Sequence, residues 1–252
     1  MINNKSVLAI IPARIGSKRL PRKNLLNLAG KPLVGWTINA AKNCKYIDRV
    51  FVSTDDNEIA EKSKEFGINV PFLRSKVLST NTTSTIAVVL DVLNELENKG
   101  EFYDYIVLLQ PTSPLRTNIH ITAAFDQLIK KNQNSIVSVC KAEHNPLWCN
   151  TLPNDGSMKS FLRKDLHNKR SQDLPNYYRL NGAIYICDVK RLKTEKTFIF
   201  SSKCSAFIMP QENSIDIDSK VDLDYAQIIM NSFIIYWIYR FWFVIQWFIF
   251  IR

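Results

Sequence analysis

Apolar runs that suit buried strands alternate along this chain with amphipathic segments that suit helices. Strand-like runs occupy residues 7–11, 49–53, 105–109, 135–139 and 183–187, and helix-like segments occupy residues 32–43, 57–66, 84–98 and 118–131. Continuous apolar runs are typical of strands buried on both faces, and their regular alternation with helices is typical of a parallel sheet. The pattern therefore predicts an α/β fold with a mostly parallel sheet and helices on both of its faces.

The alternation breaks between about residues 141 and 180, where the chain is polar and contains three prolines. We interpret this stretch as an insertion that projects from the sheet as a hairpin-like arm. Shorter strands are expected at residues 70–73, 206–209 and 214–217. A final helix is expected from Ser219, with Ser219 and Asp222 in a capping arrangement. The predicted globular domain spans residues 1–230.

The first predicted strand opens into a loop that is dense in cations. Its apolar run ends at Pro12, and five of the next eleven residues are basic: Arg14, Lys18, Arg19, Arg22 and Lys23. Gly16 and Ser17 lie among them, and Asn24 follows directly. A flexible, cation-rich loop after a buried strand suits a polyphosphate, and its mixed composition makes a merely solvated basic turn the weaker interpretation.

A pair of acids close to the end of the domain provides a second candidate feature. Asp216 and Asp218 alternate with Ile215 and Ile217, so in a strand both carboxylates would share one face and both isoleucines the other. Adjacent carboxylates repel, and hard oxygens in this arrangement suit Mg²⁺. Two solvated acids on an edge strand are an equal alternative for the pair alone, and the cationic loop favours the metal.

Polar residues also follow several other predicted strands. Gln110 follows a buried strand and could hydrogen-bond a sugar or a base, and Arg116 could anchor a phosphate or carboxylate. Arginine side chains at Arg170 and Arg179, near Asn181, suit a substrate carboxylate. The turn of residues 53–56 is expected to cap the following helix, and a lone arginine at Arg74 is a weak indication by itself.

Composition and charge narrow the class of protein. The net charge is +10, and it stays at +8 without residues 231–252, which carry two arginines and no acid. Such a balance suits an anionic ligand, whereas the absence of interleaved aromatic and basic runs and of zinc-finger spacing makes nucleic acid a weaker partner. The five cysteines include no C-x-x-C pair, and no signal peptide is recognisable, which favours a cytoplasmic protein.

The last 22 residues, 231–252, form an abrupt hydrophobic tail that contains Arg240 and Gln246. Its length permits one membrane-spanning helix, although a central arginine costs about 2.5–3.5 kcal/mol on insertion. Three interpretations compete: a membrane anchor, a strip that packs on the body or a partner, and an extension from a shifted reading frame. The abrupt change in composition favours the third.

Five segments together resemble the acylneuraminate cytidylyltransferase family, the CMP-sialic acid synthetases. They are IPARIGSKRLPRKN (11–24), STDD (53–56), LLQPTSPLR (108–116), RSQDLPNYYRLNGAIYI (170–186) and IDIDSKVDLDYA (215–226), in the order in which the family has them. The resemblance implies a Rossmann-like, homodimeric nucleotidyltransferase whose arm at 141–180 exchanges contacts between subunits. It implies CTP and a nonulosonic acid as substrates and Mg²⁺ as cofactor.

The resemblance also implies roles for individual residues of this chain. Arg14 and Lys23 would act at the triphosphate as catalytic cations, with Ser17, Lys18 and Asn24 in the same loop. Arg74 and the hydroxyl groups near Ser84 would meet the cytosine. The sugar acid would be bound by Gln110, Arg170, Arg179, Asn181 and Tyr185. Asp216 and Asp218 would hold the metal, and the sugar 2-hydroxyl would attack the α-phosphorus of CTP.

Two departures from the family pattern leave the sugar acid open. Ser171 occupies a position where the family often has arginine, and Trp148 follows the E-H-x-P segment where many members carry lysine. Legionaminate or pseudaminate therefore compete with N-acetylneuraminate, and another sugar-acid nucleotidyltransferase, such as one for 3-deoxy-octulosonate, is the main enzymatic alternative. A basic protein that binds a membrane or nucleic acid without catalysis is the non-enzymatic alternative.

Overall fold

The protein is represented by a computed structural model, which describes residues 2 and 4–232. Eight strands and five complete helices occur in these residues. The strands are β1 (Val7–Pro12), β2 (Asn27–Leu28), β3 (Lys31–Pro32), β4 (Arg49–Ser53), β5 (Tyr105–Leu108), β6 (Ser135–Lys141), β7 (Tyr178–Asp188) and β8 (Cys204–Ile208). The helices are α1 (Leu33–Lys42), α2 (Asn57–Glu65), α3 (Thr85–Glu97), α4 (Asn118–Lys130) and α5 (Val189–Glu195).

Six strands form one mostly parallel sheet in the order β4-β1-β5-β7-β6-β8. β1 pairs in parallel with β4 and β5, and β6 pairs in parallel with β8, whereas β7 runs antiparallel to both of its neighbours. Helices cover both faces of the sheet, because β1 carries apolar side chains on both faces and each set must be buried. Ala9 and Ile11 pack towards α1, α2 and α4, and Leu8 and Ile10 pack towards α3 and α5. The predicted fold class is confirmed.

Two of the short predicted strands are absent. Residues 70–73 and 214–217 are irregular, because each segment makes only isolated backbone bonds instead of a ladder. The N–H of Arg74 donates to the carbonyl of Thr54, and the N–H of Ile217 donates to the carbonyl of Thr112. Pro71 also lacks the N–H group that a continuous ladder would need.

The polar stretch between β6 and β7 leaves the sheet and returns to it at the same point. These two strands pair in antiparallel register, and just beyond them the N–H of Ala142 donates to the carbonyl of Tyr177 over 2.8 Å. Between these residues the chain has only short 3-10 turns: Pro146–Trp148, Lys164–Leu166 and Ser171–Asp173. The insertion is therefore an irregular excursion from a hairpin.

The final helix begins at Lys220 and continues to residue 232, where the described part of the chain ends. Ser219 and Asp222 cap it as predicted, since the Ser219 N–H and hydroxyl both donate to Asp222 Oδ2, over 2.7 and 2.8 Å. The hydrophobic tail of residues 231–252 lies almost wholly outside the described residues. Within the described part, none of the helices has the length and apolar character needed to cross a bilayer.

Candidate active site

A cleft of about 290 Å³ opens at the carboxyl ends of β1 and β5. From β1 the chain passes to β4 on one side, and it then crosses to β5 on the other side. Such a reversal of strand order leaves a crevice at the carboxyl edge of the sheet, where open α/β proteins bind ligands. The walls are formed by the loop after β1, the segment leading into α3, the turn after β5, and the acidic pair.

The early cations and the late acids meet in this cleft. The Nζ of Lys23 lies 2.7 Å from Asp218 Oδ1, although the two residues are 195 positions apart. Arg19 Nη1 donates to the other oxygen of the same carboxylate over 2.8 Å. The Lys23 side chain is only 12% exposed, whereas that of Arg19 is 76% exposed. The pair of Lys23 with Asp218 is better shielded from water than the pair of Arg19 with Asp218, so it is the stronger electrostatic contact.

Specific contacts shape the cationic loop. Asn24 is buried, and its Nδ2 donates to the carbonyl of Arg14 over 2.8 Å, which draws the two ends of the loop together. Arg22 adopts a left-handed conformation with φ of 53° and forms an ion pair with Glu58 of α2. Arg14 Nη1 donates to the carbonyl of Thr80 over 2.8 Å across the cleft. Ser17 lines the cleft, whereas Lys18 is exposed outside it.

The acidic pair is fixed by the isoleucine between its members. Ile217 is fully buried, and its N–H donates to the carbonyl of Thr112 over 2.8 Å. Asp216 and Asp218 therefore both line the cleft without forming a strand. Desolvation within the cleft raises the pKa of Asp216 above its ordinary value, and the charge of Asp218 acts in the same direction. This repulsion favours a cation beside the pair.

The donor set fits a magnesium ion that shares its coordination with a ligand. In residues 2 and 4–232, no group of three or more His, Cys, Asp or Glu side chains is arranged to hold a metal. Mg²⁺ usually takes one or two carboxylates and completes its shell with water and phosphate oxygens. Asp216 and Asp218 therefore suit Mg²⁺ bound together with a polyphosphate, and they do not form a closed protein site.

Arg74 places a buried guanidinium at the opposite wall of the cleft. The residue is 6% exposed, and its Nε and Nη2 have no hydrogen-bond partner among the described residues. Burial lowers the pKa of Arg74, and the negative charge of Asp55 opposes that effect. Because Arg74 also lines the cleft, its unpaired N–H groups are available to a polar ligand, and leaving them unpaired costs about 1–3 kcal/mol.

The hydroxyl groups near Ser84 divide between two roles. The Oγ of Ser84 accepts from the N–H of Ala87 over 3.2 Å and caps α3, and Ser84 is not among the residues that line the cleft. Thr80, Thr83 and Thr85 line it instead. The sequence indicated this wall of the cleft only through its hydroxyl-rich segment as a whole. It did not distinguish Ser84, which caps the helix, from the neighbouring threonines that line the cleft.

Gln110 enters the cleft beside the acidic pair. It faces Gly182, whose φ of +74° is a conformation that favours glycine. A Cβ on Gly182 would lie 2.9 Å from Gln110 Oε1 and 3.9 Å from Asp216 Oδ2. Gly182 therefore leaves room for the Gln110 amide next to the carboxylate.

The other residues predicted for the sugar acid are not brought into the cleft. Arg170 is exposed on the arm, where it pairs with Asp173. Arg179 pairs with Glu143, and its Nη2 lies 3.4 Å from the carbonyl of Ser214. Both guanidiniums are therefore engaged by neighbouring carboxylates.

Asn181 and Tyr185 have structural contacts in this arrangement. The Nδ2 of Asn181 donates to Ser214 Oγ over 2.9 Å, and its Oδ1 accepts from Ser138 Oγ over 2.6 Å. The ring of Tyr185 packs against Phe198 at 5.2 Å between centroids. Asn181 thus ties β6 and β7 to the segment before the acidic pair, and Tyr185 contributes to the core.

Arg116, which the sequence offered as an anchor for a phosphate or carboxylate, is an internal residue that does not line the cleft. It is 1% exposed, and its Nη2 donates to Thr37 Oγ1 of α1 over 2.7 Å. Burial lowers the pKa of Arg116 to about 9. The guanidinium holds the turn after β5 from beneath, so only Gln110 and its immediate neighbours reach the cleft.

Comparison with known proteins places these features in a family. The sequence profile of the family described as Cytidylyltransferase matches residues 8–198. A CMP-N,N'-diacetyllegionaminic acid synthase from Legionella pneumophila is 39% identical over 217 residues, which cover 86% of this chain and 92% of that protein. A pseudaminic acid cytidylyltransferase from Campylobacter jejuni is 34% identical over 88% of this chain and 95% of that protein.

Further relatives agree with these matches. An N-acylneuraminate cytidylyltransferase from Streptococcus agalactiae is 38% identical over 85% of this chain, which spans 51% of that longer protein. The fold also matches a CMP:2-keto-3-deoxy-manno-octonic acid synthetase solved with CTP, with a TM-score of 0.67 and 17% identity over 90% of this chain and 99% of that chain. This chain belongs to the cytidylyltransferase family.

Proposed function

We propose that this chain transfers the CMP group of CTP to the 2-hydroxyl of a nonulosonic acid and releases pyrophosphate. The observation that carries the proposal is the meeting of Lys23 with the acidic pair in one cleft at the switch point of the sheet. Cations beside a pair of carboxylates suit a magnesium nucleotide, and relatives of this chain are named for the CMP-activation of such acids.

The chemistry requires an in-line displacement at the α-phosphorus. The sugar hydroxyl oxygen forms a bond to this phosphorus and its proton is released to water, while the bond to the bridging oxygen breaks and its electron pair leaves with pyrophosphate. Phosphoryl transfer depends mainly on positioning and on stabilising negative charge on the phosphate oxygens. Arg14 and Lys23 supply positive charge from the protein, while Asp216 and Asp218 would hold Mg²⁺, which neutralises phosphate charge when bound.

The two ends of the cleft suggest how the nucleotide is oriented. The cationic loop suits the triphosphate, and the buried Arg74 with its unpaired N–H groups suits the carbonyl oxygen or ring nitrogen of cytosine. Thr80, Thr83 and Thr85 line the same wall and offer further polar contacts. In this orientation the α-phosphorus lies near Gln110 and Asp216, where the sugar acid would approach.

The sugar acid itself is one of the nonulosonic acids named in the relatives: legionaminate, pseudaminate or neuraminate. Gln110 would contact its hydroxyl groups inside the cleft. Arg170 and Arg179 would bind its carboxylate only after exchanging their pairs with Asp173 and Glu143, both of which are solvent-accessible.

A homodimer is the assembly that the exposed apolar surface supports. Leu180 and Ile208 flank Val139 across three adjacent strands, and they are 52% and 58% exposed. The arm adds exposed apolar side chains at Leu152 and Met158. A second copy that covers this surface would remove apolar area from water, which is the main driving force for association.

All five cysteines are free, which fits a reducing compartment such as the cytoplasm.

The function is tested by incubating the purified chain with Mg²⁺, each of the four ribonucleoside triphosphates, and a panel of acids. The panel contains the three nonulosonic acids and 3-deoxy-octulosonate, and released pyrophosphate is measured together with the CMP-sugar. We expect turnover with CTP and at least one nonulosonic acid. Equal turnover with all four triphosphates, or none with any acid, would contradict the proposal.

A matched pair of variants controls this assay. Lys23→Met removes the shielded ammonium of the cleft, and Lys64→Met removes an ammonium on α2 whose side chain is 65% exposed. Loss of turnover only in Lys23→Met assigns the activity to the cleft. Equal loss in both variants would indicate a diffuse effect of charge.

A further inference from the structure

Two adjacent acids, Asp55 and Asp56, lie between β4 and α2 and have different contacts. Asp56 is the N-cap of α2, because its Oδ1 accepts from the N–H of Ile59 over 3.1 Å. Asp55 does not cap the helix. Its Oδ1 accepts from the N–H of Ile15 in the cationic loop, also over 3.1 Å and across 40 residues of sequence. The sequence predicted that the turn of residues 53–56 caps the helix, and of its two acids only Asp56 has that role.

The contact of Asp55 continues the pairing of two strands beyond the sheet. β1 and β4 run in parallel, with Pro12 opposite Ser53 at their carboxyl ends. The N–H of Ala13 then donates to the carbonyl of Ser53 over 2.8 Å. Two residues after Ala13, the N–H of Ile15 donates to the Asp55 side chain and not to a backbone carbonyl. The carboxylate therefore fixes the chain immediately after Arg14.

Asp55 also provides a counter-charge to the opposite wall of the cleft. The N–H of Arg74 donates to the carbonyl of Thr54 over 2.7 Å, so the backbones of the two segments are adjacent. The charge of Asp55 favours the cationic form of the buried Arg74 guanidinium, while the charge of Arg14 disfavours it. Asp55, with a smaller effect from Asp91, thus offsets part of the repulsion between two cations that face the same ligand space.

We propose that Asp55 is a positioning residue for the nucleotide: its carboxylate fixes the cationic loop, and with it Arg14, through the N–H of Ile15. This inference rests on the proposed function for the identity of the nucleotide. Asp55 is not among the residues that line the cleft, so it acts through the loop that carries Arg14 and does not contact the substrate directly.

Three substitutions separate the hydrogen bond, the charge and the fold. Asp55→Ala removes both the acceptor for Ile15 and the charge beside Arg74. Asp55→Asn keeps a carbonyl oxygen that accepts from the same N–H but removes the charge. Asp56→Ala removes the helix cap at the next residue and is the control for stability, since loss of such a cap destabilises a helix without touching the loop.

Isothermal titration calorimetry with CTP and Mg²⁺ measures the effect directly. We expect Asp55→Ala to raise the Kd for CTP about tenfold and Asp55→Asn to raise it by about threefold, because each contact contributes modestly to orienting the site. Asp56→Ala should bind CTP within about twofold of the wild type while its Tm falls. In the turnover assay, KM for CTP should rise in the Asp55 variants while KM for the acid stays unchanged.

Limited digestion with trypsin in the absence of nucleotide provides a readout that does not depend on the proposed function. The loop carries five cleavage sites, at Arg14, Lys18, Arg19, Arg22 and Lys23, and mass spectrometry locates each cut. Asp55→Ala should accelerate cleavage in this loop relative to the wild type, and Asp56→Ala should not. Unchanged loop cleavage in Asp55→Ala would overturn the role in fixing the loop.

The outcomes distinguish this inference from the function on which it rests. If the wild type binds CTP and both Asp55 variants bind it within about twofold, the inference is wrong and the function stands. If Asp56→Ala weakens CTP binding as much as Asp55→Ala, the effect is structural, which also overturns it. If the wild type does not bind CTP, the proposed function fails, and the digestion still decides whether Asp55 fixes the loop. If Asp55→Ala does not fold, Asp55→Asn decides the question.

Discussion

At the scale of single residues, the cleft depends on a few side chains held by buried neighbours. Lys23 reaches Asp218 because Asn24 closes the base of the loop and Ile217 fixes the acidic pair. The resemblance implied that these cations and acids serve one magnesium nucleotide, and the structure brings Lys23 and Asp218 together. The sequence pattern assigned the wrong local conformation to the acidic pair, because alternation of Ile and Asp is typical of a strand, and the single hydrogen bond from Ile217 to Thr112 is invisible in a pattern.

The first prediction concerns the charge on Lys23. Lys23→Met should lower kcat about a hundredfold, or ~3 kcal/mol in the barrier, by analogy with the loss of one donor that stabilises a developing anion. Steady-state kinetics with CTP and the accepted acid measure this change. Retention of more than about half of wild-type kcat would show that Lys23 does not act on the leaving group.

The second prediction concerns the space beside Gln110. Gly182→Ala introduces a methyl group 2.9 Å from Gln110 Oε1, at a φ of +74°, so the amide must move. We expect KM for the sugar acid to rise several-fold and the free energy of unfolding to fall by about 1–3 kcal/mol.

Gly100→Ala is the matched control for this substitution. Gly100 has a φ of +79° with no atom within 4 Å of its Cβ position, so it reproduces the backbone strain without the contact. The free energy of unfolding of Gly100→Ala should fall by an amount similar to that of Gly182→Ala, while KM for the sugar acid is unchanged. An equal rise in KM in both variants would contradict the role of Gly182 at the site.

At the scale of elements, most strands and helices follow from the apolar pattern, and the exceptions have local causes. Helices α2, α3 and α4 begin and end within a residue or two of their predicted bounds, because capping residues mark their ends. Residues 70–73 were wrongly predicted as a strand, since apolar character alone does not supply a pairing partner. The antiparallel orientation of β7 was not predicted, because orientation depends on the intervening arm.

The third prediction concerns the cap of α3. Ser84→Ala removes the acceptor for the N–H of Ala87 and should lower the free energy of unfolding by about 1 kcal/mol. Ser84→Asp retains an acceptor and should restore most of that loss. Chemical denaturation measures both variants. Because Ser84 does not line the cleft, the Kd for CTP should stay within about twofold in each, and a tenfold rise would place its hydroxyl on the nucleotide.

At the scale of the whole molecule, the uncovered apolar face is the feature that a single chain leaves unexplained. The sequence predicted an arm at residues 141–180, but neither its path nor its partner could be read from residues without periodicity. Leu180 and Ile208 lie beside Val139 on a face that no described helix covers at that end of the sheet. Contacts between separate copies are not encoded in local patterns of the sequence.

The fourth prediction concerns this face. The wild type should show twice the 29.1 kDa chain mass in light scattering, and Ile208→Lys combined with Leu180→Lys should shift it towards one chain mass. In a dimer, each introduced lysine would bury its charge in an apolar interface at a cost in free energy, whereas in a monomer the lysine stays solvated. Phe102→Lys is the control, because Phe102 is 70% exposed at the opposite end of the sheet. Equal masses for the double variant and the wild type would exclude this surface as the interface.

The measurement that tests the account most directly is a crystal structure of this chain with a non-hydrolysable CTP analogue and Mn²⁺ in place of Mg²⁺. Anomalous scattering locates the metal without reference to the protein geometry. We predict a manganese peak shared by Asp216, Asp218 and phosphate oxygens, with the triphosphate against Lys23 and the base towards Arg74. A nucleotide bound elsewhere, or a metal peak away from both aspartates, would contradict the account.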